Sequence, residues 1–246
     1  MKELMIGNAA IARGAYEAGV TVAAAYPGTP STEITEFIAK YPEVYAEWSP
    51  NEKVALEVGV GASIAGARSL VCMKHVGLNV AADPLYTMSY TGVNAGLVIG
   101  VADDAGMHSS QNEQDSRRHA RSAHVPMLEP SDSEECRTFT RRAFELSEQY
   151  DTPVFVRLTA RTSHSQSYVT PGERDAREIP PYQKDIAKYV MVPGYARQRH
   201  LKVIERMDRL KKDAEDLDLN REELRSEELG IVCSGAVYNF VREAVP

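Results

Sequence analysis

VTVAAAYPGTPSTE, residues 20–33, decides the fold. The apolar run VTVAAAY (20–26) passes through proline and glycine into Thr29-Pro30, after which the pattern turns helical. A buried strand that feeds a helix through a tight polar turn is the repeating unit of an α/β protein. VYAEW (44–48), SLVCMK (69–74), GLVIGVA (96–102) and PVFVRL (153–158) read as further strands separated by helical segments. Those segments are long enough for crossover connections, so the expected fold is α/β: a parallel sheet with helices on both faces.

At 246 residues the chain exceeds the usual ~100–150-residue domain, which leaves room for material beyond one α/β unit. The composition, 43% hydrophobic and 26% charged, is that of a globular protein. With 28 basic and 35 acidic side chains, the net charge of -7 repels phosphate backbones and anionic lipid, so neither nucleic acid nor membrane is an expected partner. No segment reaches the roughly 18 apolar residues of a membrane span, and MKELMIGNAAIARGAYEAG lacks the apolar stretch and cleavage site of a secretory signal. Cys72, Cys136 and Cys233 lie far apart, without the C-x-x-C spacing of a metal site, so no metal is expected on these residues and the expected location is cytoplasmic.

Helix starts stand out. Thr29-Pro30 reads as an N-cap followed by proline, Ser49-Pro50-Asn51-Glu52 adds an S-x-x-E capping box, and Ser131 with Glu134 repeats the box before a helix to about Tyr150. The helix over 51–67 is crowded with Gly59, Gly61, Ala62, Ser63, Ala65, Gly66 and Ala67. Each glycine costs a helix about 1 kcal/mol relative to alanine, so something must approach it closely. Residues 1–169 form the expected main domain. Residues 170–228 read as a proline-containing linker and a charged helix over 197–218, with Leu201, Ile204, Met207, Leu210, Ala214 and Leu217 along one side. LGIVCSG (229–235), entering AVYNFVREAVP, reads as the first strand and helix of a second α/β domain occupying 229–246. One strand and part of a helix bury no core, so the chain is expected to be a piece of a longer protein.

Open α/β sheets bind ligands beyond the carboxyl ends of their strands. Four segments fall there: YPGTPSTE (26–33), SPNEKVALE (49–57), KHVGLN (74–79) and DDAGMHSSQNEQDSR (103–117). Gly28 either makes a tight turn or lets a ligand approach the backbone, and Thr29 either caps a helix or faces that ligand. The capping box accounts for Glu52. Glu57 lies about 500° further around the helix; it is either a surface group or a buried carboxylate in need of a partner. Lys74, His75 and Asn79 cluster around Gly77 as ligand contacts or as structural polar groups. No P-loop or GxGxxG fingerprint occurs.

In order and spacing, YPGTPSTEI, NEKVALEVGVGASIAGAR, KHVGLNVAADPL and SSQNEQDSR resemble the alpha subunits of indolepyruvate:ferredoxin oxidoreductases, members of the 2-oxoacid:ferredoxin oxidoreductases, and the likeness covers about residues 1–245. The resemblance implies the pyrimidine-binding domain of a thiamine diphosphate enzyme, with LGIVCSGAVYNFVREA opening a transketolase-C-terminal-like domain. It implies oxidative decarboxylation of indolepyruvate or another aryl 2-oxoacid with coenzyme A to an acyl-CoA, electrons passing to ferredoxin. Expected partners are a beta subunit, the remaining domains of the alpha subunit and a second copy of the chain in a homo-oligomer. Mg²⁺ and 4Fe-4S clusters are expected outside these residues, which lack a GDG-type motif and cysteine runs.

In such enzymes a glutamate nine residues before a helix glycine hydrogen-bonds the cofactor's aminopyrimidine ring. Glu57 and Gly66 have that spacing, so the resemblance makes Glu57 the catalytic, cofactor-binding glutamate. Thr29, His75 and Asn79 become cofactor contacts, and Gly28, Thr29 and Lys74 substrate contacts. Asp103-Asp104 stands where pyruvate-specific relatives carry an arginine, which favours an aromatic 2-oxoacid. Two other readings share these features: a non-oxidative thiamine diphosphate-dependent decarboxylase and a catalytically silent assembly module.

Overall fold

In the computed structural model, which describes residues 1–224 and 228–245, strands form where the apolar runs lie. They are β1 (Glu3–Ile6), β2 (Val22–Ala25), β3 (Tyr45–Trp48), β4 (Ser69–Lys74), β5 (Leu97–Asp103), β6 (Met127–Leu128), β7 (Val154–Thr159) and β8 (Gln166–Val169). The helices are α1 (Gly7–Glu17), α2 (Thr32–Ile38), α3 (Glu52–Ile64), α4 (His75–Val80), α5 (Ala82–Thr91), α6 (Arg117–Ala123), α7 (Ser133–Tyr150), α8 (Ala160–His164), α9 (Ile186–Tyr189), α10 (Pro193–Asp213) and α11 (Val237–Ala244).

Six strands form one parallel sheet in the order β3-β2-β4-β5-β7-β6, which includes all five expected from the sequence. Every residue of β4 and β5 is buried, because helices cover both faces; that is why these strands read as unbroken apolar runs. One face packs on α1, α2 and α7 through Ile11, Ile34 and Phe144, and the other on α3 to α6 through Leu56, Leu85, Met88 and Ala120. β1 and β8 make a separate antiparallel pair, Glu3 opposite Val169, which the sequence reading did not anticipate. Each has only four residues, mostly not buried, so neither carries a readable pattern.

The helix starts differ from expectation, with consequences for the site. Asn51, not Ser49, caps α3: its side chain accepts the Val54 N–H at 3.0 Å. Glu52 is therefore the first helical residue and cannot close a capping box, which requires the third. Likewise Asp132, not Ser131, caps α7 by accepting the Glu135 N–H at 2.9 Å. Helix α2 begins at Thr32, so Thr29 caps nothing; the Thr29-Pro30 bond, which is cis, lies in the preceding turn.

The small residues of α3 divide between two faces. At Gly59 a Cβ would stand 3.0 Å from Leu97 Cδ1 and nearer still to Val71, so the sheet itself is one close neighbour. Gly61 has nothing within 4 Å, and with Val54, Val58, Ala62 and Ala65 it leaves an uncovered stripe along the helix.

Residues 170–182 are laced to the domain. The Gly172 N–H donates to Glu17 Oε1 at 2.6 Å, and Arg174 donates to the carbonyls of Tyr16 and Val20. Glu17 is fully buried and also accepts from Arg13 and Arg137, at 2.9 and 2.7 Å. The expected apolar side of the 197–218 helix docks only in its later part: Leu210 and Leu217 pack against the core, whereas Leu201 and Ile204 are exposed and Val203 and Arg206 are buried in their place. Arg206 donates to Ser89 O and Arg199 to the carbonyls of Tyr90 and Thr91. These are the last carbonyls of α5, where a helix end favours cations, so guanidinium bonds fix the roll of α10. Residues 229–235 form no strand, since no neighbouring strand is present to pair with them.

Candidate functional site

From β2 the chain moves outward to β3, whereas from β4 it moves the opposite way to β5. The carboxyl ends of β2 and β4 thus flank the topological switch point, where a sheet of this kind opens a crevice for a ligand. Gly28 and Lys74 meet across it. A Cβ on Gly28 would lie 3.0 Å from both Cγ and Cδ of Lys74, so the absence of a side chain leaves room for the lysine stem. Gly28 N–H donates to Thr32 Oγ1 at 2.9 Å and its carbonyl accepts from the Ser31 hydroxyl at 2.8 Å, which fixes the turn and leaves Thr29 exposed at its tip. From below, Asn8 donates to Pro30 O at 2.8 Å and to Glu33 at 2.9 Å.

Glu52, at the amino end of α3, belongs to this crevice. It is 7% exposed, and its side chain lies against Gly77 of α4: a Cβ there would stand 2.6 Å from Glu52 Cγ and 2.7 Å from Cδ. Among the described residues no hydrogen-bond donor or cation pairs with its carboxylate. Glu57 is placed differently. Five residues on, it lies about 7.5 Å further along the helix axis from the strand ends. Its side chain is 52% exposed and faces Lys53 at 4.0 Å, and Lys53 in turn bonds Asp83 at 2.9 Å. The structure therefore turns Glu57 toward Lys53 and away from the strand ends, and sets Glu52 against Gly77, two residues on from His75.

Lys74, His75 and Asn79 share a task that spacing did not reveal: all three hold the loop after β5. Lys74 Nζ donates to Ser109 O at 3.2 Å, and Asn79 Nδ2 to Gln114 at 2.7 Å. His75 is buried; its Nδ1 accepts the Asp104 N–H at 3.3 Å, so Nε2 donates to Asn112 O at 3.1 Å. Asp103 and Asp104 are internal fittings of the same loop. Asp103 is buried and binds Arg157 at 2.8 Å and the Ser116 N–H at 3.0 Å. Asp104 accepts from Ser109 N–H and Ser110 Oγ, each at 2.7 Å, and from His108 N–H at 3.2 Å.

Burial alone would raise the Asp104 pKa; the Ser110 hydroxyl, the Ser109 and His108 N–H groups and the nearby His108 ring outweigh it and hold the carboxyl at about 2. This sets a pH dependence. A depressed carboxyl contributes stability that is complete above its unfolded value of about 4 and is lost as pH falls through the folded value. The difference in amide-exchange protection at Ser109 between the parent and Asp104→Asn should be constant above about pH 4 and shrink toward pH 2. A difference that stays constant down to pH 2 would show that the charge is not what orders this loop.

Sequence reading did not single out Glu52 and Gly77, which the structure sets against each other beside the switch point. The signal was present: Asn51 is as good an N-cap as Ser49, and once Asn51 caps the helix no capping box remains to explain Glu52. Burial pushes the Cys72 thiol up to about 12 and Cys136 higher than usual as well, so both are core residues. No described helix is long and apolar enough to cross a membrane.

The family model described as pyruvate flavodoxin/ferredoxin oxidoreductase, thiamine diphosphate-binding, matches residues 13–208. An indolepyruvate oxidoreductase subunit IorA from Methanothermobacter marburgensis is 47% identical over 98% of this chain and 40% of its own length. One of the same name from Pyrococcus horikoshii is 43% identical over 99% of this chain and 39% of its own. The chain thus spans about 40% of the length of these relatives. A 2-oxoglutarate:ferredoxin oxidoreductase from Magnetococcus marinus, solved with 2-oxoglutarate, coenzyme A and succinyl-CoA bound, superposes with a TM-score of 0.74 over 99% of this chain and 50% of its own; at 20% identity this likeness establishes the fold. The chain belongs to the thiamine diphosphate-binding family of pyruvate flavodoxin/ferredoxin oxidoreductases.

Proposed function

We propose that the chain is the pyrimidine-binding part of a thiamine diphosphate-dependent 2-oxoacid:ferredoxin oxidoreductase that converts indolepyruvate, or another aryl 2-oxoacid, to its acyl-CoA. The observation that carries this reading is Glu52, a buried carboxylate at the switch point with no partner of its own among the described residues. Little of Glu52 reaches solvent and no described residue pairs with it, so a ring that offers a hydrogen bond at that place would stabilise the carboxylate. The residues fit such a group: Glu52 supplies the acceptor, Gly77 leaves its side chain the space it occupies, and Gly28 keeps the opposite wall low.

When bound, thiamine diphosphate supplies the electron sink for decarboxylation. With the cofactor bound, Glu52 would hold the aminopyrimidine ring in register and give and take a proton at its carboxylate. Glu57, paired with Lys53 outside the crevice, has no part in this. Thr29 lines the entrance, while His75 and Asn79 act through the 104–114 loop rather than by touching the ring. The diphosphate and Mg²⁺, the 4Fe-4S clusters, the beta subunit and the ferredoxin contact belong to parts beyond these residues. Residues 229–245 open a further domain. The uncovered stripe of Val54, Val58, Gly61, Ala62 and Ala65 on α3 supports a second copy of the chain as the neighbour of this face.

The test is the complete enzyme supplied with an aryl 2-oxoacid, coenzyme A and oxidised ferredoxin. Acyl-CoA formation with stoichiometric ferredoxin reduction is the expected result. Release of the aldehyde without reduction of ferredoxin would replace this reading with that of a non-oxidative decarboxylase. Absence of any turnover in an enzyme that retains its cofactor and clusters would leave an assembly role.

A further inference from the structure

Lys74 is a buried cation without an anion. It is 8% exposed, yet among the described residues no carboxylate forms an ion pair with it, and its one hydrogen bond goes to the Ser109 carbonyl. An ammonium has three N–H donors, so two are unaccounted for. Asp104, which shares Ser109 with Lys74, is already engaged by the Ser109 and His108 N–H groups and the Ser110 hydroxyl and forms no ion pair with the ammonium. Lysine heads are almost never buried unless paired, because removal of a charge from water is costly.

The stem explains where the head lies. Its methylenes cross the switch point against Gly28, and Nζ then reaches the loop that follows β5. The ammonium therefore stands over the sheet's carboxyl edge, among the loops of β2, β4 and β5, and Glu52 lies at the same edge against Gly77, three residues on from Lys74. A site that carries one unpaired carboxylate and, separately, one unpaired ammonium is built for a ligand with complementary ends. We propose that Lys74 anchors the carboxylate of the 2-oxoacid substrate, an inference that rests on the oxidoreductase reading above and names the residue that selects for an acid at this site.

The complete enzyme, assayed with an aryl 2-oxoacid and with its uncharged methyl ester, tests this. In Lys74→Gln and Lys74→Met the KM for the acid should rise roughly 10- to 100-fold, the usual loss for a charge-assisted hydrogen bond, while the already poor KM for the ester stays where it is. Lys74→Arg should recover part of the affinity, since it restores the charge. Thiamine diphosphate affinity, measured directly on the same proteins, and the KM for coenzyme A should not move; a change confined to either would assign the ammonium to a phosphate of those ligands and overturn the proposal.

Stability provides the readout that distinguishes an anchor from a strut. Glutamine can still donate to the Ser109 carbonyl, whereas methionine cannot. If Lys74 were only a strut, the Gln variant would keep its KM for the acid and the Met variant would lose several degrees of melting temperature, and that pattern would refute the proposal. An anchor predicts equal KM losses in both variants and a melting temperature for the unliganded Met variant close to the parent's, because removal of an uncompensated buried charge offsets the lost bond to the Ser109 carbonyl. Should the parent enzyme itself fail to turn over aryl 2-oxoacids, the oxidoreductase reading falls; should it turn them over while Lys74→Met keeps the parent's KM, only the anchor does.

Discussion

Glu52→Gln in the complete enzyme is expected to lower turnover by roughly 10²- to 10⁴-fold, the range that a positioned proton-transfer group contributes, while Glu57→Gln stays within about twofold, as surface substitutions do. Glutamine keeps the volume of Glu52 and so the packing against Gly77, but it cannot give and take the proton. Stability should change little, because two small effects oppose each other. Loss of an acidic group from the first turn of α3 costs about 0.3–1 kcal/mol, and removal of a buried charge without a partner offsets it. Stopped-flow measurement of ferredoxin reduction under saturating substrate and cofactor separates the two glutamates. A larger loss in Glu57→Gln than in Glu52→Gln would return the catalytic role to Glu57.

The two carboxylates also indicate where sequence reading stops. Strands were legible because β4 and β5 are buried on both faces, and burial leaves its mark residue by residue along the chain. The pair of β1 and β8 was not, since two four-residue segments joined across more than 150 positions depend on each other rather than on local pattern. Caps failed for another reason. Ser49 and Asn51, or Ser131 and Asp132, are all competent cap residues, and the choice between them follows from where the helix docks. A shift of two positions at the cap of α3 was enough to remove the capping box that had accounted for Glu52.

Side chains after β4 present the opposite lesson. Lys74, His75 and Asn79 were correctly gathered at the carboxyl edge of the sheet, but their partners lie 29 to 37 residues away in the loop after β5. Spacing identifies a polar cluster; only the fold identifies what it holds. The same applies to Asp103 and Asp104, noted in the sequence only for the arginine they replace, whose carboxylates are engaged by Arg157, Ser116, Ser109 and Ser110.

Gly77→Ala should reduce turnover by roughly 100-fold, the scale of loss expected when a catalytic group is displaced by about an ångström. Alanine by itself suits a helix better than glycine by about 1 kcal/mol, so α4 would welcome the change were nothing beside it. The obstacle is Glu52, whose Cγ and Cδ lie 2.6 and 2.7 Å from where the new methyl group must go. Since the carboxylate end of a side chain moves more readily than a helix backbone, the added methyl should displace Glu52 and leave the fold in place. Turnover and melting temperature should then part company, the first falling steeply and the second moving by a few degrees at most. Combination with Glu52→Gln identifies the route: in that background Gly77→Ala should cost little further activity, because the group it displaces is already inactive, and neighbours that act through one another do not add. Losses that multiply in the double variant would mean that Gly77 serves the site by some path other than the space it gives Glu52.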